Sequence, residues 1–167
     1  RVLFRSFSYD ARDAVYKKEE VTSAGSKTTT FIGGMYEIVE HNGTETHRAT
    51  VMGRTGIVAV IKGQPRSASK EYIHADHIGS PHVVTDQNAN IVAEYAYDAW
   101  GAARDPETWS AFDPTIEHDS NPGFTGHDMV DGSGLVHMGG RLYDSQLGRF
   151  VSPDPFVQSP TNSQDRK

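Results

Sequence analysis

The sequence predicts an all-β fold of antiparallel hairpins with little or no helix. Three observations predict it. Sixteen glycines and eight prolines punctuate 167 residues, and the longest stretches free of both are 1–24 and 82–100, which argues against a helical bundle. Short runs rich in β-branched and aromatic residues recur between turn signals. Finally, Tyr-Asp closes a strand-like run three times, at Tyr9-Asp10, Tyr97-Asp98 and Tyr143-Asp144.

The elements follow in chain order. Thr28–Ile32 is a strand closed by Gly33-Gly34, and Met35–Glu40 is the next. His41-Asn42-Gly43 then turns the chain, since Asn-Gly between strand-like runs is a strong hairpin signal; Thr44–Met52 is the return strand. Ile57–Ile61 is apolar at every position, which predicts cover on both faces. Lys62-Gly63-Gln64-Pro65 is a turn. Lys70–His74 and Pro81–Thr85 are two further strands, and Asp86–Asn90 a polar turn. Ile91–Asp98 alternates with period two and reads as one half-buried strand. Residues 102–122, broken by Asp105-Pro106, Asp113-Pro114 and Asn121-Pro122, read as a loop or insertion with one helical turn near Pro106–Trp109. Strands resume at Leu135–Met138 and Arg141–Tyr143.

In each Tyr-Asp context the ring packs on the neighbouring strand, Asp accepts backbone N–H groups to start the turn, and Gly supplies positive φ. Gly101 and Gly148 take that place in two of them, and Asp13 in the third. Repetition of this kind suggests an architecture whose units bury a core only against their neighbours.

Composition excludes several functions. The chain has no Cys, so disulfides, thiol catalysis and Cys-ligated zinc are out. Its net charge of −6 and lack of a Lys/Arg cluster argue against a nucleic-acid surface. No apolar run approaches the roughly 20 residues of a membrane helix. No Gly-x-Ser-x-Gly elbow is present. His74, Asp76, His77 and His82 are the densest set of potential metal ligands, but on a strand His77 points away from His74 and Asp76. They read as hydrogen-bonding groups of a strand end and turn, so no metal or cofactor is expected. The aromatic residues at alternating strand positions read as packing; Trp100 and Trp109 are the better ligand-site candidates.

Several blocks together resemble the Rhs/YD-repeat family, in particular the Rhs repeat-associated core. They are Tyr72-Ile73-His74-Ala75-Asp76-His77-Ile78-Gly79-Ser80-Pro81, Val84-Thr85-Asp86, Tyr95-Ala96-Tyr97-Asp98-Ala99-Trp100-Gly101 and Phe124-Thr125-Gly126. Asp131 through Leu135, Arg141-Leu142-Tyr143-Asp144 and Leu147-Gly148-Arg149-Phe150-Val151-Ser152-Pro153-Asp154-Pro155 continue the series. Ala89 stands where a turn Gly is usual, and Leu142 where an aromatic is.

The resemblance implies a strip of hairpins spiralling into a hollow β-shell, with the associated core closing one end. It divides the chain into degenerate repeats over 7–66 and the core over 67–164. Arg1–Ser6 and Asp165–Lys167, read back into codons, match a sequencing adapter and its complement, so 1–6 and 165–167 are expected to be adapter-derived. As structural signature positions it marks Tyr72, His74, Asp76, His77, Gly79, Ser80, Tyr97, Asp98 and Gly101. Arg141, Tyr143, Asp144, Gly148, Arg149, Phe150, Pro153 and Pro155 complete that set. The implied role is a non-enzymatic shell segment of a secreted or surface-delivered bacterial toxin. Its partners would be flanking repeats, the parent's own C-terminal toxin domain and a secretion or translocation apparatus. One alternative is a surface adhesion module that binds carbohydrate. Another is part of a self-cleaving aspartyl peptidase, with Asp154 as one of two carboxyls sharing a proton and the second further along the parent.

Overall fold

The computed structural model describes residues 2–12, 14–23, 25–64, 66–111, 122–130 and 133–153. Among the described residues, nine strands form one antiparallel meander in strict sequence order. They are β1 (Val2–Tyr9), β2 (Val15–Thr22), β3 (Gly25–Ile32), β4 (Tyr36–His41), β5 (Thr44–Met52), β6 (Ile57–Gly63), β7 (Ser69–Ala75), β8 (Pro81–Asp86) and β9 (Ile91–Glu94). A two-stranded sheet joins β10 (Ala96–Tyr97) and β11 (Ala103–Arg104). A four-stranded sheet follows, with β12 (Asp128–Val130), β13 (Leu135–Met138), β14 (Arg141–Asp144) and β15 (Arg149–Phe150) in order. One 3₁₀ turn, Phe124–Gly126, precedes it.

The hairpin at Asn42-Gly43 is tight. His41 pairs with Thr44, and both turn residues have positive φ, 50° and 79°, the geometry that favours Asn-Gly and matches the strand twist. The boundary expected near residue 66 falls in the β6–β7 turn.

Three expectations are corrected. Ile91–Asp98 is not one strand. It breaks at Tyr95, whose N–H donates to the His82 carbonyl at 2.8 Å, and β10 turns away to pair with β11. Tyr95, Ala96 and Tyr97 are therefore buried in succession, against the expected alternation. Secondly, Ile57–Ile61 is not covered throughout. A bulge lies between the Val51–Ala59 and Met52–Ile57 pairs, so Val58 falls out of the ladder and is exposed. Thirdly, the segment after Gly101 is not loop from its start, because Ala102 and Ala103 are buried and β11 is paired. The expected helical turn is present: the Trp109 N–H reaches the Asp105 carbonyl at 2.9 Å, and the Asp105 carboxylate accepts the Glu107 and Thr108 N–H groups. Residues 112–121 lie outside the described residues.

Among the described residues the core is one cluster of Val60, Ile73, Val84, Tyr95, Tyr97, Met129 and Val136. Val60, Val84 and Val136 are fully buried, each worth about 1.5–3 kcal/mol relative to exposure. The cluster fixes the shape of the sheet. Flat, β1 and β8 would stand about 34 Å apart, seven spacings of about 4.8 Å. The β12–β13 hairpin nevertheless meets both regions: Met129 and Val136 pack in the cluster with Val60, Ile73 and Val84, while the next residue, His137, stacks on Phe7 of β1 with ring centres 4.3 Å apart. The nine-stranded sheet therefore curls, and β13 lies inside the curl with both neighbouring side chains buried, Val136 at 0% and His137 at 7% exposure.

Candidate functional site

The Tyr-Asp turns share one construction, which recurs more widely than Tyr-Asp does. Asp10, Asp76, Asp86 and Asp98 each accept, through Oδ1, the N–H groups two and four residues on, at 2.8–3.0 Å. Each also donates its own N–H to the carbonyl four residues on, at 2.8–2.9 Å. Where the third following residue is described it has positive φ: Gly79 at 90°, Ala89 at 64° and Gly101 at 86°. Asp144 makes a longer version, capping Gln146 and Leu147 before Gly148 at φ 64°. Reading for Tyr-Asp finds Asp10, Asp98 and Asp144; the spacing Asp-x-x-Gly/Ala also finds Asp76 and Asp86. Partial burial raises the proton affinity of Asp76 and Asp98, but their two backbone donors outweigh it, joined by Arg104 at Asp98, and hold both carboxyls below the ordinary value.

Ala89 is the weak point of this set, because an L-residue in the left-handed region costs about 1–2 kcal/mol that Gly avoids. Ala89→Gly is therefore expected to stabilise the chain by about 1 kcal/mol, read as a higher urea midpoint at unchanged slope.

The Asp76, Asp98 and Asp144 turns meet at a junction between the nine-stranded sheet and the C-terminal sheet. Ser80, 1% exposed, accepts the Thr125 N–H on its Oγ at 3.0 Å. Gly101 lies flush on the Phe124 ring, where a Cβ would approach to 2.4 Å. Phe124 also meets the Tyr97 ring, centres 5.9 Å apart. His82 donates Nδ1–H to the Tyr95 carbonyl at 3.1 Å and faces the Asp76 carboxylate at 3.6 Å. The second half of the junction joins the Asp98 and Asp144 turns. The Tyr143 hydroxyl donates to the Trp100 carbonyl at 2.9 Å, and Gly148 leaves room for the Trp100 ring.

The structure thus gathers Gly79, Ser80, Tyr97, Asp98, Gly101, Tyr143 and Gly148 into one junction. Arg141 lies over the Phe150 ring at 3.6 Å, and Phe150 meets Tyr143 edge-on. Tyr72 and His74 stand apart on the outer face of β7. Tyr72 is exposed, and His74 Nε2 is 3.1 Å from Thr85 Oγ1. His77, Arg149 and Pro153 are exposed. Asp154 and Pro155 lie outside the described residues. Among the described residues no three His, Asp or Glu side chains converge as a metal site, and no helix is long and apolar enough to cross a membrane.

Sequence reading missed the lining of the inner face. The register Arg5↔Glu20↔Lys27 and Glu37↔Arg48↔Lys62 sets charged residues directly opposite one another on the side that carries Val60, Ile73 and Val84. Arg5 and Glu20 pair by Nε–H donation at 2.7 Å. Arg48 pairs with Glu37 at 2.5 Å and Lys62 with Glu71 at 2.7 Å. Burial pushes Glu20 up, yet Lys18, Arg5 and Lys27 outweigh it and hold it below the usual range. At Glu37 burial prevails over Arg48, and Asp128 of β12 adds like charge, so this carboxyl is raised.

His137 closes the seam between β13 and β1. Its Nε2 is 3.0 Å from the Tyr9 hydroxyl. Burial lowers its proton affinity; Asp128 opposes that, and Lys18 and His127 reinforce it. With the folded value depressed, the unfolded chain takes up the proton first. Stability is expected to be unaffected by this group above about pH 6.5 and to fall as pH drops below it. Glu37 works in the opposite direction, so the comparison is urea unfolding of wild type against His137→Gln at neutral and mildly acid pH. The variant should lose less stability on acidification; equal losses would exclude His137 as the cause.

The family model described as the Teneurin YD-shell matches residues 36–166. Double-stranded DNA deaminase toxin A of Burkholderia cenocepacia is 31% identical over 107 residues, 64% of this chain and 7% of that protein. Toxin subunit YenC1 of Yersinia entomophaga is 24% identical over 165 residues, 90% of this chain and 16% of the relative. Among solved structures, TcdB2-TccC3 without its hypervariable C-terminal region superposes with a TM-score of 0.68 at 20% identity, over 90% of this chain and 8% of that one. The chain thus spans a small part of each relative.

Proposed function

The chain belongs to the YD-shell family of Rhs/YD-repeat proteins, and from that membership we propose that it is a wall-and-closure segment of a bacterial toxin shell. In this reading the nine-stranded meander is wall. The junction and the C-terminal sheet turn the chain inward to close one end, around a toxin domain carried further along the same parent. The role of the segment is structural, and the parent is secreted or delivered to the cell surface. The observation that carries the reading is β13 lying within the curl of the wall, buried on both sides and tied to β1 by His137. The relatives' names as toxins support the choice of contents.

Trypsin digestion of the intact parent tests it. The domain of the parent that follows this stretch should resist cleavage in the wild type and be cut once Gly101→Ala loosens the junction. Digestion of that domain in the wild-type parent as fast as when it is expressed separately would contradict the proposal.

A further inference from the structure

The outer face of the nine-stranded sheet carries a hydrogen-bonded chain of three side chains that takes no part in the junction or in the inner-face pairing. β4 and β5 pair antiparallel, with Tyr36 opposite Ala49, Ile38 opposite His47 and Glu40 opposite Glu45. Side chains two apart on a strand share a face. Tyr36, His47 and Glu45 therefore stand together on the face opposite Glu37 and Arg48, outside the curl. Tyr36 and His47 are diagonal neighbours across the two strands, a separation that aromatic side chains bridge. The Tyr36 hydroxyl lies 2.6 Å from His47 Nδ1, and His47 Nε2 lies 2.8 Å from Glu45 Oε1. Tyr36 and His47 are half-buried, and Glu45 is exposed.

Chemistry fixes the direction of this chain. A carboxylate only accepts, so in the neutral imidazole Nε2 carries the proton and donates it to Glu45. Nδ1 is then the bare nitrogen and accepts the Tyr36 O–H. An activated nucleophile is recognised by just these parts: nucleophile and base within about 2.6–3.2 Å, and the base oriented by a third group. A cross-strand pair made only for packing needs no carboxylate behind the imidazole.

We infer that Tyr36 is an acyl-acceptor site, a phenol activated by His47 and Glu45 to take an acyl group from an activated ester. Tyr36 Oη attacks the ester carbonyl carbon, and its proton passes to His47 Nδ1. The bond from that carbon to the leaving oxygen breaks, and the leaving group departs with the electron pair. The imidazolium then gives its proton to the leaving group or to water. The transfer is a single one and leaves the acyl group on Tyr36. Because the site lies on the outer face, it stands independently of the toxin-shell reading.

Reaction of the whole chain with p-nitrophenyl acetate at neutral pH tests this, with each acetylated tyrosine followed by peptide mapping and mass spectrometry. Tyr72 is the internal reference. It stands on the same outer face, and at 43% exposure it is more open to the reagent than Tyr36. A positioned base contributes about 10²–10⁴-fold, and on a face open to water Tyr36 should be acetylated at least about tenfold faster than Tyr72. His47→Gln should bring Tyr36 down to the rate of Tyr72 and leave Tyr72 unchanged. Circular dichroism checks that the variant is folded. If it is not, wild type in urea replaces it, and there the two tyrosines should react alike. Tyr36 reacting no faster than Tyr72 in the folded wild type overturns the proposal. So does fast acetylation of Tyr36 that survives His47→Gln. A Tyr36→Phe chain that releases p-nitrophenolate as fast as wild type, with the acetyl group on His47, would make the imidazole the nucleophile and overturn it as well.

Discussion

Gly101→Ala is expected to destabilise the chain by about 3 kcal/mol, through two independent costs. At φ 86° an alanine costs about 1–2 kcal/mol relative to glycine. Its Cβ would also lie 2.4 Å from Phe124 Cδ1, and overpacking of that kind costs about 1–3 kcal/mol. Phe124 has little room to retreat, because Tyr97 packs on its ring and the Thr125 N–H ties its turn to Ser80. Gly139→Ala is the matched control. Gly139 has φ 65° and nothing within 4 Å of an added Cβ, so only the conformational cost of about 1–2 kcal/mol applies. Urea unfolding of both variants separates the two costs. Equal losses would mean that Phe124 moves freely and that the junction is not close-packed.

Arg48→Met is the second large effect, about 3 kcal/mol. Arg48 is 8% exposed and pairs with Glu37 across β4 and β5. Removing it leaves a carboxylate that burial and Asp128 already disfavour, and breaking a buried pair at one end costs about 3–5 kcal/mol. Partial exposure of Glu37 places the expected value at the low end. The double variant Arg48→Met with Glu37→Met should recover most of the loss, since two apolar groups replace a buried ion pair at little cost. Arg48 Nε is buried with no hydrogen-bond partner among the described residues, so the pair is incompletely satisfied from the start. The double-mutant cycle is the measurement. Arg48→Met should also regain stability on mild acidification: the raised Glu37 then binds a proton in the folded chain at a pH where the unfolded chain is still ionised. A single variant as stable as wild type would show that the inner-face pairs are solvated and contribute little.

What the sequence shows and what it hides divide along the range of the interactions. The Asn42-Gly43 hairpin, the β7 and β8 strands and the Asp98 turn rest on neighbours within a few residues, and local chemistry specifies them. The break at Tyr95 is not local, because its N–H is taken by His82, thirteen residues earlier. The Val58 bulge depends on the register of β5 against β6. The charge pairs of the inner face appear only once strands are aligned: Arg5 and Glu20 are fifteen residues apart and look like ordinary surface charge. The Tyr9–His137 contact spans 128 residues, and no periodicity announces it. Within the junction, Gly101 and Ser80 belong to motifs legible in the chain. Phe124 was legible too, in a Phe-Thr-Gly block, but its place against Gly101 is a property of the fold.

The central claim is that this chain is a stretch of shell wall that turns inward to close over a downstream domain of the same parent. Reading the coding DNA on both sides of this stretch tests it most directly. The reading frame is expected to continue upstream into further Tyr-Asp hairpins. Downstream it should run into a second acidic residue that could partner Asp154, and then into a domain unrelated to the shell. A frame that stops soon after this stretch, with no further hairpins upstream, would contradict the claim and leave a surface adhesion module as the better account.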